Sequence, residues 1–268
     1  MSELAHAQRV ARSRWVGWLG RIGFAAQGTC FAIIAVLALE LAFGGRGRLT
    51  DPRGAFVVLA AGSWTRVLLF LLVIGFAAYS LWRLTQALFD RGGMGSDPGG
   101  LGRRAIQFGQ AVLYALLTVS ALRVLLGSRG VASPRRAAEG ILGWPGGPEL
   151  VGAVGVVMAV VAAVNVYWGW SGRFRESLRL REAGHDTKQL LMLVGRIGFV
   201  SLGIVLGLIA WFLLKAALDF NAGKVVSLGG ALAHLARADY GTWLLTAAAA
   251  GLLAYGAFGI LQSRYHRV

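Results

Sequence analysis

Two stretches decide how this chain folds: GRIGFAAQGTCFA at residues 20–32 and GRIGFVSLGIVLG at residues 195–207. Without a gap, Arg21, Gly23, Phe24 and Gly28 of the first match Arg196, Gly198, Phe199 and Gly203 of the second. Each opens a long apolar run. Residues 15–43 carry only two charges, and residues 152–170, in a run of their own, carry none. A hydrocarbon core about 30 Å thick is crossed by roughly 20 such residues as a helix. The two stretches therefore read as starts of membrane helices, and their recurrence reads as an internal repeat.

Composition agrees. The chain of 268 residues is 56% hydrophobic and 15% charged, with a mean hydropathy of +0.63. A soluble domain carries about a quarter charged residues, so a soluble globular fold is excluded. The net charge of +15 does not indicate nucleic acid. The arginines lie between apolar runs, as in positive-inside loops facing anionic headgroups, and no soluble basic domain is long enough to bind a duplex. The single cysteine, Cys30, lies inside the first run and offers neither a disulfide nor a metal spacing. That run is about twice the length of a signal-peptide core, so it reads as an uncleaved helix.

Six spans are expected, at residues 18–43, 64–89, 104–126, 150–170, 190–218 and 240–262. Helices satisfy their own backbone in lipid, and the alternating polarity of a barrel is absent. With Arg21, Arg104 and Arg196 included, the N-terminal side carries fifteen Lys and Arg against nine opposite. Both termini are thus expected in the cytoplasm of a bacterial plasma membrane. Trp15, Trp18, Trp64, Trp82, Trp168, Trp170, Tyr240 and Tyr265 fall near span ends and read as an aromatic belt at headgroup level.

The repeat extends beyond the opening stretches. A more divergent copy starts at Arg104, where Gln27, Phe31 and Ala32 face Gln110, Tyr114 and Ala115. The even-numbered helices also recur: GFAAYSLWRLTQALF from Gly75 matches GLLAYGAFGILQSRY from Gly251, and the middle copy keeps only Tyr167 and Trp170. Between the two helices of each copy lie DPRGAFVVLAAGSW, SPRRAAEGILGWPG and SLGGALAHLARADYG. Asp51 and Ser133 have the character of N-caps followed by proline, and Leu and Ala at helical spacing predict three short outer interfacial helices. The pattern resembles the bacterial membrane family called domain of unknown function 1206, which carries three tandem two-helix units. The resemblance covers about residues 16–264. It implies an all-α polytopic bundle of six transmembrane helices from three parallel two-helix repeats, and it implies no activity.

The expected organisation is a tail at 1–15, repeats at 16–90, 102–172 and 190–265, and a basic cytoplasmic loop at 173–189. Two helices per copy insert every copy the same way up, so the repeats are parallel, with rough three-fold pseudosymmetry expected about the membrane normal. The stripe Gly20, Gly23, Gly28, Ala32 and its counterpart Gly195, Gly198, Gly203, Gly207 would let helix backbones approach closely.

Candidates for chemistry are few. Glu40, Arg123 and Lys215 each stand 19 residues after a helix-opening arginine, at the outer edge of the hydrocarbon. They read either as a charged cluster at a mouth or as separate snorkelling anchors. Gln27 and Gln110 are repeat equivalents near the midplane and fit an inter-helix hydrogen bond. Arg83, one turn inside helix two, fits snorkelling. Approximate midplane segments contain no Asp, Glu, Lys, Arg or His, which argues against ion-coupled transport. The histidines His6, His185, His234 and His266 lie outside the spans, so haem ligation is not expected. Phe174, Leu178 and Arg181 are placed to form a basic surface helix that grips anionic lipid or, as the less favoured reading, an acidic partner. No catalytic, cofactor or metal constellation is read. A non-enzymatic structural or accessory component of a membrane complex is the favoured expectation, touching anionic lipid and a membrane-protein partner. The alternative is a passive channel or small-solute carrier along the pseudo-three-fold axis.

Overall fold

The computed structural model describes residues 14–45, 47, 49–89, 98–128, 134–177 and 185–265. Among these, every regular element is helical. The long helices are α1 (Arg14–Ala42), α3 (Ser63–Phe89), α4 (Pro98–Leu125), α6 (Gly147–Ser171), α7 (His185–Leu218) and α9 (Gly241–Tyr265). All six are long and apolar enough to cross a bilayer, which makes the chain a multi-pass membrane protein. The short helices α2 (Pro52–Ala61), α5 (Pro134–Leu142) and α8 (Leu228–Arg237) each fall between the two long helices of one repeat. Single 3₁₀ turns follow α6 (Arg173–Ser177) and α7 (Ala222–Lys224).

Apolar runs locate the spans but not the helix starts. α4 begins at Pro98 and α7 at His185, several residues before the hydropathy changes at 104 and 190. Past the hydrocarbon, helix propensity and capping decide where a helix starts, and hydropathy is silent. At 34 residues, α7 is roughly 51 Å long at 1.5 Å per residue.

Local chemistry explains the ends. The Asp51 carboxylate accepts the Gly54 N–H at 3.0 Å, capping α2. Ser227 does the same for α8, accepting from Gly230 N–H, a cap the sequence reading missed. Ser133 lies outside the described residues. α6 stops at Gly172, whose φ of 70° is the left-handed conformation and whose N–H returns to Trp168 O.

The chain divides into two compact units. The first gathers α1 as far as Thr29, α2 from Phe56, α3, α4 and α9 from Gly259. Its core is Phe56, Leu69, Leu72, Phe76, Tyr79 and Trp82, all but fully buried. α1 packs on α3 through absent side chains. A Cβ on Gly23 would collide with Tyr79, one on Gly75 with the Ala26 methyl, and one on Gly20 would lie 2.9 Å from the Trp82 ring. α4 packs on the other side of α3, where Ser80 Oγ donates to Ala111 O at 2.8 Å. At the end of α9, a Cβ on Gly259 would stand 3.0 Å from Gly28 Cα.

The second unit holds α1 from Cys30, α5, α6, α7, α8 and α9 as far as Phe258. α7 meets α9 as α1 meets α3: Gly198 lies under Tyr255, and Gly251 under Ser201. On its other side α7 meets α6, where a Cβ on Gly203 would reach Val166 Cγ2 at 2.6 Å and one on Gly155 would reach Leu214 at 3.0 Å. The short helices α5 and α8 pack against the C-terminal part of α7. Ala138 of α5 packs with Ala216 and Val225, and His234 of α8 stacks on Phe212 with centroids 4.4 Å apart.

Lipid tails are as apolar as leucine, so hydrophobic burial contributes little between these helices and close van der Waals contact has to hold them. The glycines of the stripe are therefore not equal. A Cβ on Gly198 would stand 2.6 Å from the Tyr255 backbone, whereas the nearest atom to a Cβ on Gly207 is at 3.9 Å. Gly198→Ala is expected to cost about 1–3 kcal/mol of overpacking, while Gly207→Ala is neutral or stabilises by a few tenths of a kcal/mol through helix propensity. Reversible unfolding of the two variants in mixed micelles checks this ordering.

Candidate functional site

Two tyrosines, Tyr79 and Tyr255, organise the packing of their repeats. Each stands four residues after a glycine and three before a second aromatic, Trp82 or Phe258. Residues i, i+4 and i+7 share a helix face, so all three meet the first long helix of the same repeat (the odd helices, counted over the six long ones, are α1, α4 and α7, and the even ones α3, α6 and α9). Phe24 sits edge-on to Tyr79 and Trp82 at 5.3 Å from each. Phe199 repeats this at 5.4 Å from Tyr255 and 5.3 Å from Phe258. Each tyrosine also touches a second odd helix: Tyr79 lies 4.5 Å from Tyr114, and Phe31 lies 5.1 Å from Tyr255. Phe31 and Tyr114 occupy the same repeat position. One ring thus staples two odd helices to one even helix, each aromatic pair adding about 0.5–1.5 kcal/mol beyond burial.

The two aromatic sets are closed differently. In the third repeat the Phe174 ring, from the 3₁₀ turn after α6, stacks on Phe199 at 5.4 Å and lies edge-on to Phe258 at 5.2 Å. In the first repeat the Arg83 guanidinium takes this part. It stands 4.7 Å from the Trp82 centroid, 5.0 Å from Tyr79 and 6.0 Å from Phe24. Its Nη2 donates to Tyr79 Oη at 2.6 Å and its Nη1 to Gln86 Oε1 at 3.3 Å. Gly259 occupies the matching position of the third repeat, where it admits Gly28 instead.

Three expectations are corrected here. Trp82 is only 4% exposed and is no belt residue, because Gly20 leaves room for its ring inside the helix pair; Trp18, Trp64 and Trp170 are exposed. Phe174 is buried, not on a lipid-facing surface helix, since the adjacent glycine at 195 leaves space for its ring. Leu178 and Arg181 lie outside the described residues. Arg83 does not snorkel freely but is tied to Tyr79 and Gln86.

Gln27 and Gln110 are both half-buried in the first unit. Gly23, Gly28, Gly198 and Gly203 lie in tight helix contacts, and Gly207 in a loose one. Glu40, Arg123 and Lys215 are exposed, and none has an ion pair with a described residue. Arg123 and Lys215 stand in last helical turns, where a cation suits the helix dipole, whereas Glu40 stands against it. Lys215 instead lines an open groove with Glu149, Trp211 and Asp219. A hydrogen bond from Lys224 holds the Asp219 carboxyl below the usual carboxylate range, with the charges of Lys224 and Lys215 adding to it. Arg104 donates from Nε to Ala87 O at 2.8 Å and from Nη2 to Leu88 O at 3.1 Å. This arginine, in the second turn of α4, caps the carbonyl end of the preceding long helix, a role that spacing alone does not reveal. The mid-span polar groups turn inward on their own helices: Thr118 donates to Tyr114 O and Asn165 to Val161 O, each at 2.7 Å.

Comparison with known proteins places the chain. The model of the Domain of Unknown Function (DUF1206) matches three times, at residues 22–90, 107–172 and 197–266. An uncharacterized protein of Bacillus subtilis (strain 168), YxxB, is 31% identical over 258 residues, which is 95% of this chain and 92% of that protein. No solved structure matches. Three matches in series and a full-length relative make this chain a member of the Domain of Unknown Function 1206 family.

Proposed function

We propose that this protein is a non-enzymatic structural or accessory component of a membrane complex, residing in the bacterial plasma membrane with both termini in the cytoplasm. One observation carries the reading: the glycines and aromatic residues that recur between repeats are spent on helix contacts. Gly23, Phe24, Gly75, Tyr79 and Trp82, with their counterparts at 198, 199, 251, 255 and 258, pack one helix on another. A repeat selected for catalysis or coupled transport would instead repeat its reactive or ion-binding groups. Support also comes from α4 and α6, whose apolar side chains are largely exposed, among them Phe108, Leu116, Val156, Val157 and Val160. Lipid or the helices of a partner would cover them.

Purification from native membranes in a mild detergent tests the role. A partner present in fixed stoichiometry is expected; a lone chain that conducts small solutes when reconstituted in liposomes would favour a passive channel instead. Orientation is tested separately in a Cys30→Ser background. Asp239→Cys is expected to react with an impermeant maleimide in intact cells, and Ser2→Cys only after permeabilisation. The reverse labelling would place the termini outside.

A further inference from the structure

Arg83 is not needed for packing, because the third repeat manages with glycine at the matching position and a phenyl ring from Phe174 as closure. The first repeat has instead placed a full positive charge at the rim of the hydrocarbon and fixed its orientation. The Tyr79 hydroxyl and the Gln86 amide are neutral, so they position the guanidinium without balancing it. No Asp or Glu occurs in α3 or α4, and the only one in α1 is Glu40, 19 residues and about 28 Å from Arg21.

Charge accumulates at this end of the first unit. Arg21, Arg83, Arg103, Arg104 and Arg264 all lie there. The connection at 90–97, outside the described residues, contributes Asp90, Arg91 and Asp97 by sequence, which removes only one unit of that excess. Two of the arginines also have an unmet donor. The Nε of Arg21 and the Nε of Arg83 are buried with no hydrogen-bond partner among the described residues, and a buried donor left unpaired costs about 1–3 kcal/mol. The two belong to the same end of one helix pair, since Gly20, beside Arg21, lies against the Trp82 ring that Arg83 covers. The Arg21 guanidinium itself lies 5.3 Å from the centroid of Trp18, which is exposed.

We infer that Arg83, assisted by Arg21, binds the phosphate of an anionic membrane lipid on the platform of Phe24, Tyr79 and Trp82. A planar guanidinium with free N–H groups matches phosphate oxygens, and charge-assisted hydrogen bonds of this kind are the strong ones. A lipid, not free phosphate, is the source, because the exposed Trp18 ring lies beside the Arg21 guanidinium and offers apolar surface to acyl chains. The site goes beyond an accessory role and does not depend on which leaflet it faces.

The test uses full-length protein stripped of lipid in neutral detergent and titrated with dioleoylphosphatidylglycerol or dioleoylphosphatidylcholine, read by native mass spectrometry. Phosphatidylglycerol is expected to be retained over phosphatidylcholine, and Arg83→Gln to weaken its binding roughly tenfold, the loss of about one charge-assisted hydrogen bond. Arg103→Gln, which removes an exposed cation bonded to its own Gly99 carbonyl, is expected to bind as the unaltered protein does. Tyr79→Phe, which keeps the ring but frees the guanidinium, is expected to fall between, and it carries the test if Arg83→Gln does not fold. Equal retention of the two lipids, undiminished binding in Arg83→Gln or, should that variant not fold, in Tyr79→Phe, or equal loss in Arg103→Gln would overturn the site. Complete displacement of the lipid by millimolar inorganic phosphate would overturn its assignment to a lipid.

Discussion

The rest of the structure depends on backbones that approach where glycine stands under a larger side chain. Inside a bilayer the usual driving force for helix association is weak, so the energy has to come from contact area and fit. Gly23 under Tyr79 and Gly198 under Tyr255 bring the two helices of a repeat close enough for Phe24 and Phe199 to meet the aromatic faces of the even helix. The tyrosine, held in that way, presents its other side to the next odd helix at Phe31 or Tyr114. The contact within a repeat and the contact between repeats therefore share one ring.

The same position also shows how repeats diverge without losing the fold. Gly28, Ala111 and Gly203 are equivalent, and each faces an even helix of another repeat: Gly259 in α9, Ser80 in α3, and Ala162 with Val166 in α6. Three different solutions, two glycines face to face, a serine hydroxyl on a carbonyl, and a glycine against valine, fill one kind of gap. Arg83 and Phe174 are a second such pair, a cation and a phenyl closing equivalent aromatic sets. Where a repeat departs from its sister while the packing is retained, the departure has been free to acquire chemistry, and Arg83 is the clearest instance.

Much of this was legible in the sequence because the membrane imposes a simple rule. Residues 15–43 and 152–170 had to be helices once they were apolar and all but free of charge, and the repeated Gly-Arg-Ile-Gly-Phe set the register between copies. Asp51 announced its cap by the proline after it, whereas Ser227, followed by leucine and two glycines, gave no such signal. Trp82 shows the limit most clearly. Position near a span end suits a belt tryptophan and a buried one equally, and only the glycine opposite, Gly20, distinguishes them. That pairing lies across 62 residues and follows from packing alone. Phe174 was misread for the same reason, and the contact of Arg104 with α3 went unforeseen, as both depend on which helix lies alongside.

The central claim, that glycine is required because another helix lies against it, is tested most directly by moving one methyl group across the contact. A Cβ on Gly75 would strike the Ala26 methyl, yet apart from that methyl the nearest atoms are Ile22 O at 3.4 Å and Ala26 Cα at 3.6 Å, which is ordinary contact distance. Unfolding free energies would be measured in mixed micelles for Gly75→Ala, Ala26→Gly and the double variant, as a double-mutant cycle. The account predicts that Gly75→Ala alone costs about 1–3 kcal/mol and that adding Ala26→Gly restores most of it. If the second substitution only adds to the loss, the two helices do not meet at these residues and the account is wrong.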